Sequence, residues 1–164
     1  MCDNQFLSPH FTLAEMCTSQ TAEKHGIVNV PSEQEVANLH RLCEGTLEPL
    51  REAIGLPVIV TSGFRTKELN DLMAHSSSTS QHMRGQAADF YVGEGFSRRE
   101  LLVKAFREIL QNPKVDFDQL ILYPTFIHVS YVSKERNRRG ILIGRRDGKL
   151  GYGRITLANA MKIS

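Results

Sequence analysis

Three side chains in this chain are suited to do chemistry together: His82, Asp89 and His128. They stand in Ser80-Gln81-His82-Met83-Arg84-Gly85-Gln86-Ala87-Ala88-Asp89 and in Phe126-Ile127-His128-Val129-Ser130. Two imidazoles and a carboxylate are a natural ligand set for Zn²⁺, which accepts nitrogen and carboxylate oxygen and leaves a fourth position for water. Zinc lowers the pKa of that water to about 7 and polarises a carbonyl, so three converging ligands would make a hydrolytic centre. Asp89 lies inside the apolar run Ala87-Ala88-Asp89-Phe90-Tyr91-Val92, where an uncompensated carboxylate is costly to bury. Alternation along a strand turns His128 to the side of Phe126 and Ser130, opposite Ile127 and Val129. Singly, each has a plainer reading. A strand histidine is more often a satisfied core or surface residue, and a strand aspartate more often ends a strand or pairs with an arginine. Spacing alone does not bring the third ligand to the other two.

Holding such residues requires elements around them. Thr12 followed by Glu15 is a capping-box pattern that predicts a short helix. Pro31-Ser32-Glu33-Gln34-Glu35 repeats the signal ahead of Val36, Leu39, Leu42, Cys43, Leu47, Leu50 and Ile54, which recur at helical spacing. Gly45 and Pro49 should kink or loosen this helix, and Gly55 fits its end. Leu56 to Thr61 predicts a buried strand, Lys67 to Met73 a short helix, and His75 to Ser80 a polar loop. Ala87 to Val92 predicts a second strand. Ser97-Arg98-Arg99-Glu100 reads as a third capping box, opening a helix with Leu101, Leu102, Ala105, Phe106, Ile109 and Leu110 inward. Asp118 to Tyr123 and Phe126 to Val132, separated by Pro124-Thr125, predict an antiparallel hairpin. Residues 132–164 form a basic tail, either an exposed arm or an extra hairpin turning at Asp147-Gly148. The order of elements predicts an α+β domain with helices against a small, mostly antiparallel sheet.

The 164 residues suit one domain spanning 1–164, with a core of useful size. A formal charge of +2 is too mild for a nucleic-acid partner, and the basic run Lys134 to Arg139 lacks interleaved aromatics. No segment has the roughly 18 apolar residues of a membrane span. The N-terminus lacks the basic start and apolar core of a secretory signal, which implies synthesis in the cytoplasm. Cys2, Cys17 and Cys43 form no CxxC pair and read as small hydrophobes. No GxSxG elbow occurs, and no cysteine sits beside a plausible base. The expected state is a monomer.

Ser62-Gly63-Phe64-Arg65, then Ser80-x-His82-x-x-Gly85-x-Ala87-x-Asp89-Phe90, then His128-Val129-Ser130 resemble the zinc D-Ala-D-Ala peptidases of the M15 group. That group also includes phage endolysins that cut L-Ala-D-Glu bonds, and it shares a fold with the hedgehog signalling domain. The resemblance covers about residues 11–131. It implies a zinc peptidase on peptidoglycan stem peptides, reaching the wall after release as phage lysins do. His82, Asp89 and His128 would be the zinc ligands. Arg65 would bind a substrate carboxylate or the scissile carbonyl oxygen, and Asn70 and Ser80 would be supporting polar groups.

One departure stands out. Relatives commonly place a glutamate base a few residues before the last histidine, whereas this chain has Leu122, Tyr123, Thr125 and Phe126 there. Asp118 is the nearest upstream carboxylate and the tentative base. A two-residue hairpin loop would turn it away from His128 unless a bulge intervenes. Glu94 and His75 are further loop candidates. A hydrolase without its base can lose roughly 10²–10⁴-fold in rate, so a weak or inactive peptidoglycan-binding module on the same fold is the competing expectation.

Overall fold

In a computed structural model the described residues are 2–73, 76–144 and 152–164. Strands β1 (Phe6–Ser8) and β2 (Phe11–Thr12) form a small antiparallel pair. Thr12 then caps helix α1 (Leu13–Cys17), its side chain accepting from the Glu15 amide. Helix α2 (Gln20–His25) follows. Helix α3 (Glu33–Leu42) opens with the expected capping box of Ser32 and Glu35. It runs through a π-helical turn, Cys43–Leu47, into α4 (Glu48–Ile54), with Pro49 in the first turn of α4. Proline is tolerated there because its missing N–H falls where the ladder is already loosened. Gly55 ends α4 at φ 63°, a left-handed conformation that glycine adopts without a Cβ penalty.

The main sheet uses β3 (Val58–Ser62), β4 (Ala87–Val92), β5 (Gln119–Leu122), β6 (Ile127–Ser130), β7 (Gly140–Gly144) and β8 (Tyr152–Arg154). Their spatial order is β3-β4-β6-β5-β7-β8. Every neighbouring pair is antiparallel except β5 with β7, which run parallel, so the sheet is mixed. Helix α5 (Lys67–Leu72) and a 3₁₀ turn, Gln81–Arg84, lie between β3 and β4. Helix α6 (Arg99–Gln111) lies between β4 and β5, and α7 (Leu157–Ala160) follows β8. The tail beyond 132 therefore contributes two sheet strands. The Asp147-Gly148 turn expected between them lies outside the described residues.

The start of α6 differs by one residue from the capping-box expectation. Arg98 is the N-cap, its carbonyl accepting from the Leu101 and Leu102 amides. Ser97 Oγ is buried and, among the described residues, has no partner. The box was displaced because its serine sits one position too early to reach the first free amides of the helix.

One face of the sheet makes the core. Ala88, Phe90 and Val92 of β4, Leu120 and Leu122 of β5, and Ile127 and Val129 of β6 are at most 1% exposed. They pack with Leu102, Phe106 and Ile109 of α6 and with Leu39, Leu42, Leu47 and Leu50 from α3 to α4. Each of the larger side chains among them contributes about 1.5–3 kcal/mol by leaving water. Strand alternation then sends the intervening residues, Asp89 and His128 among them, to the opposite face.

Candidate metal centre

Register brings the first two side chains together. Asp89 of β4 pairs directly with His128 of β6, and residues opposite one another across a ladder have Cβ atoms about 5 Å apart. His82 arrives from the 3₁₀ turn. That turn closes on Gly85 at φ 64°, whose N–H donates to the His82 carbonyl. A Cβ on Gly85 would collide with the Glu35 carbonyl oxygen, so both the backbone angle and the space require glycine. The Arg65 amide also donates to the His82 carbonyl, at 3.2 Å.

The facing atoms are His82 Nε2, Asp89 Oδ1 and His128 Nδ1, all within 4.8 Å of one another. His82 Nε2 lies 3.3 Å from His128 Nδ1 and 3.4 Å from Asp89 Oδ1, and His128 Nδ1 lies 2.7 Å from Asp89 Oδ1. A tetrahedral ion with bonds of about 2.0–2.1 Å separates its ligand atoms by about 3.3 Å. The donor set and its spacing therefore fit a zinc ion after a small opening of the His128–Asp89 contact.

Outer contacts orient these donors. His82 Nδ1 lies 2.7 Å from the Gly63 carbonyl, which can only accept, so Nδ1 carries the proton and Nε2 presents its lone pair. Gly63 is itself held close, since a Cβ there would strike the Met16 carbonyl oxygen. Asp89 Oδ2 accepts from Arg65 Nη2 at 2.9 Å, and Arg65 Nε donates to Ser62 Oγ at 2.9 Å. Among the described residues the remaining nitrogen, Nη1, has no hydrogen-bond partner.

Burial and charge act against each other at these groups. Burial pushes the His82 pKa down, favouring the neutral ring a metal needs, although Asp89 opposes this. Burial alone would raise Asp89, but the two histidine rings outweigh it and hold the carboxyl below its ordinary range. Burial also lowers Arg65, with Asp89 pulling the other way, and it stays charged.

The cluster faces a cavity of about 700 Å³, within the size range of small-molecule binding sites. Tyr123 and Phe126, stacked at 4.4 Å across the Pro124-Thr125 loop, form one wall. Ser80 lines the cavity at the entry to the 3₁₀ turn. Asn70 does not line it. It is 1% exposed and its Nδ2 donates to the Ser77 carbonyl, so it holds the loop that does. Glu94 is exposed and away from the cavity, and His75 lies outside the described residues.

Asp118 does reach the cavity. The Asp118 amide donates to the Ser130 carbonyl and the Gln119 amide to the Ser130 hydroxyl, which ties this segment to the end of β6. Asp118 sits in a bend ahead of β5, where strand alternation does not yet apply, and Asp118 and Gln119 both line the cavity. Asp118 is fully buried. Its Oδ1 accepts from the Arg138 amide and Nε, and its Oδ2 from Arg138 Nη2 and Gln81 Nε2. Burial would raise its pKa, but the Arg138 and Gln81 bonds lower it overall. A carboxylate so engaged is a weak proton acceptor, which weighs against the role of general base. The Gln81–Asp118–Arg138 network had no sequence signal, because its members are 37 and 20 residues apart.

An α+β fold with a His/Asp/His cluster facing a cavity is compatible with a metal-dependent hydrolase. A family model described as Peptidase M15 matches residues 9–130, and the chain belongs to that family of metallopeptidases. No curated protein matches the chain.

Proposed function

We propose that this chain is a zinc-dependent peptidase acting on the stem peptides of bacterial peptidoglycan, with His82 Nε2, Asp89 Oδ1 and His128 Nδ1 as zinc ligands. The observation that carries the reading is the oriented donor set, three ligand atoms within 4.8 Å backed by Gly63 and Arg65. Zinc, when bound, supplies a Lewis acid and a water acidified to a pKa of about 7. The Gly63 carbonyl fixes the His82 tautomer, and Arg65 holds Asp89 Oδ2, which turns Oδ1 toward the donors. Arg65 Nη1 is the donor available to a substrate carboxylate or a developing oxyanion. Tyr123 and Phe126 offer an apolar wall for the peptide, and Ser80 a polar group at the rim.

The decisive experiment measures metal in the tag-free protein and in His128→Ala, then follows muropeptide turnover. About one zinc per chain, lost in the variant, with cleavage of stem peptides, supports the reading. A protein that takes no metal after zinc reconstitution refutes it.

A second reading, a peptidoglycan-binding module with little turnover, draws on one observation. Among the described residues lining the cavity the only carboxylates are Asp89 and Asp118, and both are already engaged. Zinc-loaded protein that binds muropeptides and leaves them intact would favour it.

A further inference from the structure

The charge lining the cavity is unbalanced. Four arginines line it, Arg65, Arg84, Arg136 and Arg138, against the two acidic residues Asp89 and Asp118. Two of the four are matched, Arg65 by Asp89 at 2.9 Å and Arg138 by Asp118 at 2.5 Å. Arg84 and Arg136 have no ion pair among the described residues, and both are exposed. The nearest acid in sequence, Glu135, accepts from Ser133 Oγ and does not line the cavity.

Arg136 is also held in place rather than trailing from a loose loop. It sits in a turn closed by its own amide on the Ser133 carbonyl. The next three residues are pinned. Asn137 accepts from the Val132 amide and donates to Asp116, and Arg138 grips Asp118. Arg139 pairs with Asp116 and lies 4.7 Å over the Phe117 ring. Arg84 is fixed from the other side, its carbonyl accepting from Asn38 Nδ2 at 2.8 Å. With both backbones anchored, the two exposed side chains start from fixed points on the cavity wall.

We infer that Arg84 and Arg136 form an outer anion-binding wall of the cavity, and that the preferred ligand is an acidic peptide with a free carboxylate apart from the group held by Arg65. This rests on the peptidase reading only in treating that ligand as substrate.

The probes are the stem peptide L-Ala-γ-D-Glu-L-Lys-D-Ala-D-Ala with the D-glutamate carboxylate free, and the same peptide with that carboxylate amidated. Binding to zinc-loaded protein is measured by calorimetry at low and high salt, alongside cleavage. The free acid should bind about threefold to tenfold more tightly than the amide at low salt, with the ratio shrinking as salt rises. In R84Q/R136Q the ratio should approach one. Lys104→Gln, which removes a charge from the exposed side of α6, should keep it. A ratio near one in the wild type, a ratio unchanged in R84Q/R136Q, or no binding of either peptide overturns the inference. Preferential binding without cleavage would sustain the wall and refute the peptidase reading. Cleavage of both peptides with equal binding would do the reverse.

Discussion

Asp89 carries two duties at once, and its substitutions should show both. Its Oδ1 faces the two histidines and its Oδ2 neutralises Arg65, which is 8% exposed. Asp89→Ala should remove zinc binding and leave a buried guanidinium unpaired, costing about 3 kcal/mol of stability in the metal-free protein. Urea denaturation with metal analysis checks this, and a variant with full zinc content would sink the ligand assignment. Arg65→Ala should retain zinc at about one-tenth to one-hundredth of the affinity, through loss of a group orienting a ligand. Its kcat/KM should fall by about 10²–10³ if Nη1 meets developing charge; unaltered turnover would make Arg65 a support for Asp89 alone. For Asp118 the bonds to Arg138 and Gln81 predict a wall anchor. Asp118→Asn should lower kcat less than about tenfold, whereas removal of a true base costs 10²–10⁴, and steady-state kinetics separate the two.

At the scale of elements, the site depends on a few local devices that the sequence displays and on pairings that it does not. The caps at Thr12 and Ser32, the Gly55 stop and the Pro124-Thr125 hairpin were legible because each depends on residues within four positions of one another. The identities of His82, Asp89 and His128 were legible as candidates. Their convergence was not, since it rests on the Asp89–His128 register between β4 and β6, set over 39 residues. The parallel β5–β7 pairing and the Arg138 contact to Asp118 were hidden for the same reason. Ser97 shows a local signal failing, where backbone geometry chose Arg98 as the cap. Gly85 gives the sharpest test of an element's contribution. Gly85→Ala places a Cβ at φ 64° against the Glu35 carbonyl oxygen, a backbone atom that cannot step aside cheaply. A loss of about 1–3 kcal/mol is expected, with weaker zinc binding as the His82 turn shifts. Thermal unfolding and zinc titration of G85A read both effects, and wild-type behaviour in each would mean the turn tolerates the change.

For the whole molecule, one sheet face pays for folding and the other hosts the charged cluster, so stability and metal binding share a pH dependence. His82 is buried with its pKa pushed below 6.5, so below that pH the unfolded chain holds a proton that the native state lacks. Stability must fall as pH drops through 6.5, by at most about 1.4 kcal/mol per unit for this one group. Asp89 has a native pKa below 3.8, so its contribution is present above 3.8 and fades on further acidification. Both groups weaken the fold in acid, in successive windows. Zinc at the proposed site would add about 2.7 kcal/mol at a free concentration of 100 times Kd, and this too would shrink in acid because ligand imidazoles must be neutral. Unfolding temperatures at pH 7.5 and 5.5, each with zinc and with a chelator, separate these contributions. The chelated protein should lose stability between the two pH values, and the zinc-loaded protein should lose more, because its added increment also declines. A chelated protein equally stable at both pH values would contradict the burial of a neutral His82, and a zinc increment independent of pH would contradict histidine ligation.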